Sequence, residues 1–351
     1  MNIKKLALVF CVLFSATNCA VKNNSFTQTQ KLKQADKVIN SENKTATIKI
    51  DGSSTAYPIT QLIANKFQSS SAYPAQIQVK ISGTTAGFTK FCAGETDINN
   101  ASRPILSLEM EACKKNGIVY MELPIAFDAL TIAVNPQNNW AKDITVAELK
   151  KIWEPSAQGK ITRWNQVRAS WPDRPLNLYG ADKKSGTFDY FTQAAVGKIR
   201  ASRSDYIANE DDEVLVDSIS KDPNALGYFG YAYYEKYINK LKALAVDRGK
   251  GAVFPSVQNV KQGEYQPFSR PLFIYINPRF SGSKIVLYKF IDFYIAKVPE
   301  VINTVKYIPL SEECYHLNYI HFYKGKVGTV FQGKTATNLT IPDLLKKEAR
   351  F

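Results

Sequence analysis

Three short segments rich in glycine and hydroxyl residues each join a β-prone run to a helical pattern. They occupy residues 51–58, 82–87 and 185–187. Behind the first segment, apolar residues recur at helical spacing over residues 59–67, so the segment connects a strand to a helix start. A helix start exposes unpaired N–H groups and the positive end of the helix dipole, which favours an anion. We therefore predict strand–loop–helix units, and we hypothesise that three helix starts converge on one small oxyanion.

Strands alternate with helices through most of the chain, which is typical of α/β layers with a largely parallel sheet. The length of 351 residues is sufficient for two domains. Residues 121–134 are mostly apolar, as expected of a strand in a buried sheet, and we interpret them as a crossing into a second domain. Residues 269–276 would return the chain to the first. The predicted domains are a discontinuous one, residues 45–130 plus 268–345, and an inserted one, residues 131–267.

Two helices carry boundary signals in the sequence. Thr145 and Glu148 have the spacing of a capping box, so residues 144–153 are predicted to be helical with Thr145 as the cap. A closing helix is predicted from Ile285 onward. We expect it to stop at Pro299, because proline lacks the backbone N–H that a helix interior needs.

The N-terminus has the pattern of an export signal. Residues 1–18 combine two lysines with an apolar run too short to span a membrane stably, and they are predicted to be a signal peptide. Cys19 stands where a lipoprotein signal is cut, although Asn18 is unusual just before such a cut. The alternative is ordinary cleavage nearby, with Cys19 removed or free. Residues 19–44 are polar and aperiodic, so we predict a flexible tether and a periplasmic protein anchored to the membrane by a lipid.

The net charge of +14 attracts anions, so nucleic acid has to be considered. Lysine and arginine are dispersed, however, and a solvated basic surface without a nucleic-acid partner is the preferred interpretation. No metal or other cofactor is predicted, because the two histidines, His316 and His321, are not at metal-ligand spacing. No nucleophile–base pair supports an enzyme. Residues 328–335 fit the phosphate-loop pattern by letter, but no capped helix of suitable length follows directly.

Three of the five cysteines lie outside the predicted export signal, since Cys11 and Cys19 belong to it. An exported chain meets an oxidising space, so a disulfide is plausible among the others. Cys92 and Cys113 lie closest in sequence and are predicted to pair. Cys314 would then be a free, buried thiol.

Several motifs resemble, in order, those of one known family. They are Asp51-Gly-Ser-Ser-Thr, Phe91-Cys-Ala-Gly-Glu-Thr-Asp-Ile98, Ala101-Ser-Arg-Pro104, Ser185-Gly-Thr-Phe-Asp-Tyr-Phe191, Ser202-Arg-Ser-Asp-Tyr206, Ala225-Leu-Gly-Tyr-Phe-Gly-Tyr231 and Ser269-Arg-Pro-Leu-Phe273. The set resembles the phosphate-binding proteins of bacterial ABC uptake systems, the PstS family, over roughly residues 46–331. The resemblance implies a type II periplasmic-binding-protein fold, with two domains of mixed sheet and flanking helices around a hinged cleft. It implies no catalysis; we expect a monomer that closes on one inorganic phosphate and hands it to a membrane permease.

The resemblance also implies which groups contact phosphate. From the three segments these are hydroxyls or backbone N–H groups of Ser54, Thr55, Ala56, Thr84 or Thr85, Ser185, Gly186 and Thr187. Well-known members also carry an arginine shortly before Ser-Gly-Thr, where this chain has Ala181. We expect Arg103 and Arg203 to replace it, because a planar guanidinium can clamp an oxyanion with two N–H groups.

A second departure concerns the proton of the ligand. Well-known members carry an aspartate after Ala-Ser that accepts the proton of hydrogen phosphate and helps exclude sulfate, and Arg103 stands at that position here. Asp205 and Asp51 are the candidates for that role. The alternatives to phosphate uptake are a binding protein for sulfate or arsenate, a phosphate-sensing surface lipoprotein, and a secreted phosphatase-like enzyme.

Overall fold

The computed structural model describes residues 46–70, 74–279, 285–335 and 337–351. The predicted signal peptide, the predicted lipidation at Cys19 and the predicted tether lie outside these described residues. Among the helices that the structure describes, none is long and apolar enough to cross a membrane.

Strands and helices alternate along the described chain, as the sequence predicts. The strands are β1 (Ala46–Gly52), β2 (Ala75–Val79), β3 (Ile98–Ala101), β4 (Met121–Val134), β5 (Asp143–Thr145), β6 (Asn177–Ala181), β7 (Ile207–Asn209), β8 (Ala225–Gly230), β9 (Lys242–Ala243), β10 (Ala245–Asp247), β11 (Ala252–Val253) and β12 (Ser269–Ile276). The helices are α1 (Tyr57–Ser70), α2 (Thr84–Cys92), α3 (Ser107–Lys115), α4 (Val146–Trp153), α5 (Trp164–Val167), α6 (Gly186–Phe191), α7 (Asp212–Lys221), α8 (Tyr231–Lys236), α9 (Val257–Lys261), α10 (Ile285–Thr304), α11 (Glu312–Lys324) and α12 (Ile341–Ala349). A 3-10 turn, Pro155–Ala157, follows α4, and a π-helical turn, Thr192–Val196, follows α6.

The first half of the main sheet contains the first two strand–loop–helix units. β1 pairs in parallel with both β2 and β3. β12 pairs antiparallel with β3 on one side and with β4 on the other. Because α1 follows β1 and α2 follows β2, both helices start at the carboxyl edge of the parallel strands, where ligands bind in α/β sheets.

β4 links the two halves of the main sheet. All of its residues, Met121–Val134, are buried, which confirms the apolar strand predicted from the sequence. Residues 121–129 pair with β12, whereas residues 130–134 pair with β8. The second half continues from β8 through the parallel strands β6 and β7, with β9 added beside β4, and β5, β10 and β11 form a separate small sheet. The chain thus crosses between the halves within one strand.

The predicted end of the closing helix is wrong. α10 passes through Pro299 and continues to Thr304. Val301 and Ile302 are buried and extend the apolar face of the helix beyond the proline. Packing of that face stabilises the last turn more than the missing N–H hydrogen bond weakens it, because tertiary burial supplies most helix stability in proteins.

The start of α4 differs slightly from the prediction. Ile144 belongs to β5, and the helix begins at Val146. Thr145 is nevertheless the cap, because its Oγ1 accepts a hydrogen bond from Glu148 N at 3.0 Å. The Glu148 side chain in turn accepts from Thr145 N at 2.8 Å, which completes the predicted capping box.

The cysteines are arranged as the sequence predicts. Cys92, at the end of α2, forms a disulfide with Cys113 in α3. Cys314 is a free, buried thiol in α11. The disulfide therefore ties together two helices that flank the first half of the sheet.

Candidate functional site

The first and third of the glycine- and hydroxyl-rich segments meet at their threonines. Thr55 Oγ1 lies 3.1 Å from Thr187 Oγ1, although the residues are 132 positions apart in the chain. Ser185 Oγ accepts a hydrogen bond from Thr187 N at 3.1 Å and so caps α6. The side chains of Ser54, Thr55, Ser185 and Thr187 are all buried.

The second segment approaches the third at Gly186. A Cβ atom at Gly186 would lie 2.3 Å from Thr84 Oγ1 and 2.5 Å from Ser102 Oγ, so only glycine allows this approach. Thr84 Oγ1 is also 3.2 Å from Ser102 Oγ and accepts a hydrogen bond from Ser102 N at 3.1 Å. The structure thus brings all three segments together, with Ser102 as a further hydroxyl that was not among the predicted site residues.

Thr84 and Thr85 have different surroundings. Thr84 is buried beside Gly186, as described above. Thr85 Oγ1 instead donates to Asp189 Oδ2 at 3.1 Å and accepts hydrogen bonds from Arg103 Nη2 at 2.9 Å and Arg200 Nη2 at 3.1 Å. Of the two threonines, Thr84 therefore faces the point of convergence.

Arg270 is a buried cation at the same point. It lies on β12 directly opposite Asp128 of β4, and its Nη2 is 3.0 Å from Asp128 Oδ2. The same nitrogen donates to Thr187 Oγ1 at 2.9 Å and to Thr55 Oγ1 at 3.3 Å. Burial raises the pKa of Asp128, and Arg270 opposes the rise. Arg270 was not among the predicted site residues, although it stands in the Ser-Arg-Pro motif that carried the family resemblance.

Arg103 is buried in a network of carboxylates. Its Nε donates to Asp189 Oδ2 at 2.9 Å, and its Nη1 and Nη2 donate to the two oxygens of Glu109 at 2.8 and 2.7 Å. Nη1 also donates to the Pro104 carbonyl at 3.0 Å. The guanidinium of Arg103, which was predicted to clamp an oxyanion, is therefore occupied by protein groups. Through Asp189 it links the first half of the molecule to α6.

The structure does not bring Arg203 together with the three segments. Its Nε and Nη2 bind the two oxygens of Asp205 at 2.6 and 2.7 Å. Its Nη1 donates to the Ile152 and Ile161 carbonyls at 3.1 and 2.8 Å. This placement argues against the predicted phosphate contact and gives Arg203 a role in fixing the loop beside α4.

Neither predicted proton acceptor is free. Arg203 lowers the pKa of Asp205 to about 2 through a side-chain hydrogen bond. Asp51 accepts from Gly52 N at 2.8 Å and pairs with Lys90 Nζ at 2.5 Å. Both carboxylates are thus held by donors of the protein itself.

The acidic run 210–213 faces the protein interior at two positions, Glu210 and Asp212. Glu210 Oε1 accepts a hydrogen bond from Ser54 Oγ at 3.2 Å, across the convergence of the segments. Burial raises the pKa of Glu210 to about 8, and the nearby charge of Asp212 adds to the rise. Asp212 is itself buried, and burial raises its pKa to about 7.

Comparison with known proteins agrees with the fold. The sequence model of the PBP superfamily domain matches residues 38–298. Protein SphX of Synechocystis is 53% identical over 304 residues, which cover 87% of this chain and 90% of that protein. The phosphate-binding protein PstS of Staphylococcus epidermidis is 35% identical over 268 residues, covering 76% of this chain and 79% of that protein.

One solved structure is also closely similar. A possible phosphate binding protein from Planctomyces limnophilus superposes with a TM-score of 0.60 at 41% identity, covering 80% of this chain and 99% of that one. The fold is that of a type II periplasmic binding protein. The chain belongs to the PBP superfamily and, within it, to the family of the SphX and PstS proteins.

Proposed function

We propose that this protein binds inorganic phosphate between its two domains and delivers it to an ABC permease for uptake. The observation that carries the proposal is the meeting of three hydroxyl-bearing segments around Gly186, two of which contact the buried guanidinium of Arg270 through Thr55 and Thr187. Relatives named phosphate-binding protein PstS support the choice of ligand.

The proposed contacts are hydrogen-bond donors fixed by the fold. Ser54, Thr55 and Ala56 directly precede α1, Thr84 begins α2, and Ser185, Gly186 and Thr187 start α6. Arg270 supplies a positive charge whose direction is set by Asp128. Each hydrogen bond to a charged group contributes roughly 1.5–3 kcal/mol, so a few such donors can hold a phosphate without bulk counter-ions.

The proposal also covers the domain boundaries, the location and the membrane attachment of the protein. We infer that the domains are residues 45–130 plus 268–345 and residues 131–267, which is supported by the change of partner along β4 from β12 to β8. The protein acts in the periplasm as a monomer without catalysing a reaction, and a lipid on Cys19 holds it at the membrane.

Calorimetry with the purified protein tests the proposed ligand. We expect tight binding of phosphate that added sulfate does not weaken. Binding of sulfate or arsenate in preference to phosphate would replace the proposed ligand, and no binding of any of the three would refute the assignment of the site.

A pair of arginine variants tests the composition of the site. Arg270→Lys keeps the charge but loses the fork that reaches Thr55 and Thr187, so we expect phosphate affinity to fall about tenfold or more. The control, Arg203→Lys, should lower the unfolding temperature and leave the affinity unchanged. Equal losses of affinity in the two variants would return Arg203 to the binding site.

A further inference from the structure

A second set of contacts joins the two halves of the molecule, beside the proposed phosphate site. It consists of Thr85 and Arg103 from the first half and of Asp189 and Arg200 from the second. Arg103 Nε donates to Asp189 Oδ2 at 2.9 Å, and Arg200 Nη2 donates to Thr85 Oγ1 at 3.1 Å. Thr85 Oγ1 donates in turn to Asp189 Oδ2 at 3.1 Å. We refer to these four residues as the latch.

The polar groups of the latch have complete sets of partners. All five N–H groups of the Arg103 guanidinium have acceptors, which are Asp189 Oδ2, Thr85 Oγ1, the Pro104 carbonyl and both oxygens of Glu109. The Thr85 hydroxyl donates to Asp189 and accepts from Arg103 and Arg200, which is its full capacity. A buried ion pair stabilises a protein only when its geometry is good and its remaining groups are satisfied, and the latch meets both conditions.

Each charge of the latch also has a counter-ion within its own half. In the first half, Arg103 binds both carboxylate oxygens of Glu109, at 2.8 and 2.7 Å. In the second half, Arg200 Nε donates to Asp189 Oδ1 at 2.8 Å. Opening of the cleft therefore breaks the hydrogen bonds across it without leaving an unpaired charge. Closing adds those hydrogen bonds to charges that are already neutralised, so the desolvation penalty of a buried charge is reduced.

A main-chain hydrogen bond reinforces the same side of the cleft. Thr85 N donates to the Lys184 carbonyl at 3.2 Å. Gly83 allows this approach, because its φ is 86° and a Cβ there would lie 2.5 Å from the Lys184 oxygen. None of these atoms, and none in the latch, belongs to the donors proposed for phosphate. The closed cleft therefore has stabilising contacts that do not depend on the ligand.

We propose that the latch stabilises the closed cleft with or without phosphate and thereby slows the release of bound phosphate. This inference rests on the proposed function for its ligand. It makes Thr85 and Asp189 positioning residues that do not touch phosphate. A bound anion leaves only when the halves separate, so each hydrogen bond across the cleft adds to the barrier to release. Capture requires an open cleft, so loss of the latch does not slow it.

Thr85→Val tests the latch with a small change. Valine has nearly the shape of threonine, and both arginines keep their carboxylate partners, so the fold should survive. The variant loses the two hydrogen bonds of the hydroxyl across the cleft, to Asp189 and from Arg200. We expect phosphate release, measured by chasing radiolabelled phosphate with unlabelled phosphate, to become about tenfold faster or more. Capture, measured by rapid mixing with labelled phosphate, should not become slower.

Thr89→Val is the matched control. Thr89 lies one turn further along α2, is exposed, and donates to the Thr85 carbonyl at 3.1 Å within the helix. It should keep both rates of the unaltered chain. The inference is overturned if Thr85→Val releases phosphate no faster than Thr89→Val does. It is also overturned if Thr85→Val slows capture, since Thr85 would then act on the phosphate site itself.

Small-angle X-ray scattering of the phosphate-free protein separates this inference from the proposed function. We expect a larger radius of gyration for Thr85→Val than for the unaltered chain, because fewer bonds favour the closed cleft. Equal radii would contradict the latch even if phosphate binds. If the unaltered chain binds no phosphate, the proposed function fails and the radii alone decide whether the latch exists.

Arg200→Lys provides a second variant, so that the test does not depend on the folding of Thr85→Val. The Arg200 side chain is 45% exposed, and lysine keeps a positive charge beside Asp189. Lysine lacks the planar guanidinium that reaches Asp189 and Thr85 together. We expect the same larger radius and faster release, and a variant that matches the unaltered chain in both would refute the latch.

Discussion

Replacing Gly186 by alanine should block closure of the site while leaving each half of the molecule intact. Gly186 does not have a positive φ, so alanine can adopt its backbone conformation without strain. The added Cβ would lie 2.3 Å from Thr84 Oγ1 and 2.5 Å from Ser102 Oγ, closer than real Cβ contacts. Thr84 and Ser102 belong to the first half of the sheet and Gly186 to the second, so the clash exists only when the cleft is closed.

The expected loss of phosphate affinity follows from the overlap between the added Cβ and the two hydroxyl oxygens. The two loops would have to separate by about 1 Å to reach ordinary contact, and overpacking of this kind costs about 1–3 kcal/mol. If that cost falls on the closed state alone, phosphate affinity drops by about 5- to 140-fold. Alanine is also the better helix former at the start of α6, so the free protein should not lose stability.

Calorimetry measures the affinity for phosphate, and thermal unfolding without phosphate measures the stability of the free protein, so the two effects are separated. The control is Gly227→Ala, whose Cβ would lie 2.4 Å from Ile219 Cδ1 and 2.9 Å from the Tyr179 carbonyl, both within the second half. It should lower the unfolding temperature without a selective loss of affinity. A Gly186→Ala protein that binds phosphate as tightly as the unaltered chain would refute the geometry described for the cleft.

Two further predictions concern stability. Because Arg203 lowers the pKa of Asp205 to about 2, the ion pair contributes stability above the unfolded pKa of about 4 and loses it as the pH falls towards 2. Thermal unfolding of Asp205→Asn should lack this part of the acid-side decline, and parallel curves for the two proteins would contradict the assignment. Reduction of the disulfide between Cys92 and Cys113, which closes a loop with a sequence separation of 21, should destabilise the protein by ~3 kcal/mol. An unfolding temperature that does not change on reduction would show that the link contributes nothing.

Local pattern was sufficient for β4 and for the cap of α4. A long, mostly apolar run is expected of a strand covered on both faces, and β4 has the predicted bounds, Met121–Val134. Capping chemistry is equally local, so Thr145 and Glu148 were correctly paired. The end of α10 was not predicted correctly, because the burial of Val301 and Ile302 beyond Pro299 depends on what the helix packs against.

The partners of the charged residues were decided by the tertiary structure. Arg103, Arg203 and Arg270 each precede or follow similar small residues in the sequence, and their guanidinium groups are chemically identical. Arg270 faces the convergence because β12 places it opposite Asp128, whereas Arg103 is held by Glu109 and Asp189, and Arg203 by Asp205.

The sequence by itself thus determined the α/β class, the three donor-bearing segments and the disulfide, since each depends on periodicity or on short spacing along the chain. Only the tertiary structure decided that Thr55 meets Thr187, that Arg270 supplies the buried charge and that Glu210 turns inward. These contacts join residues far apart in the sequence. Hydrogen bonding and ion pairing depend on distance in space, which the order of residues does not record.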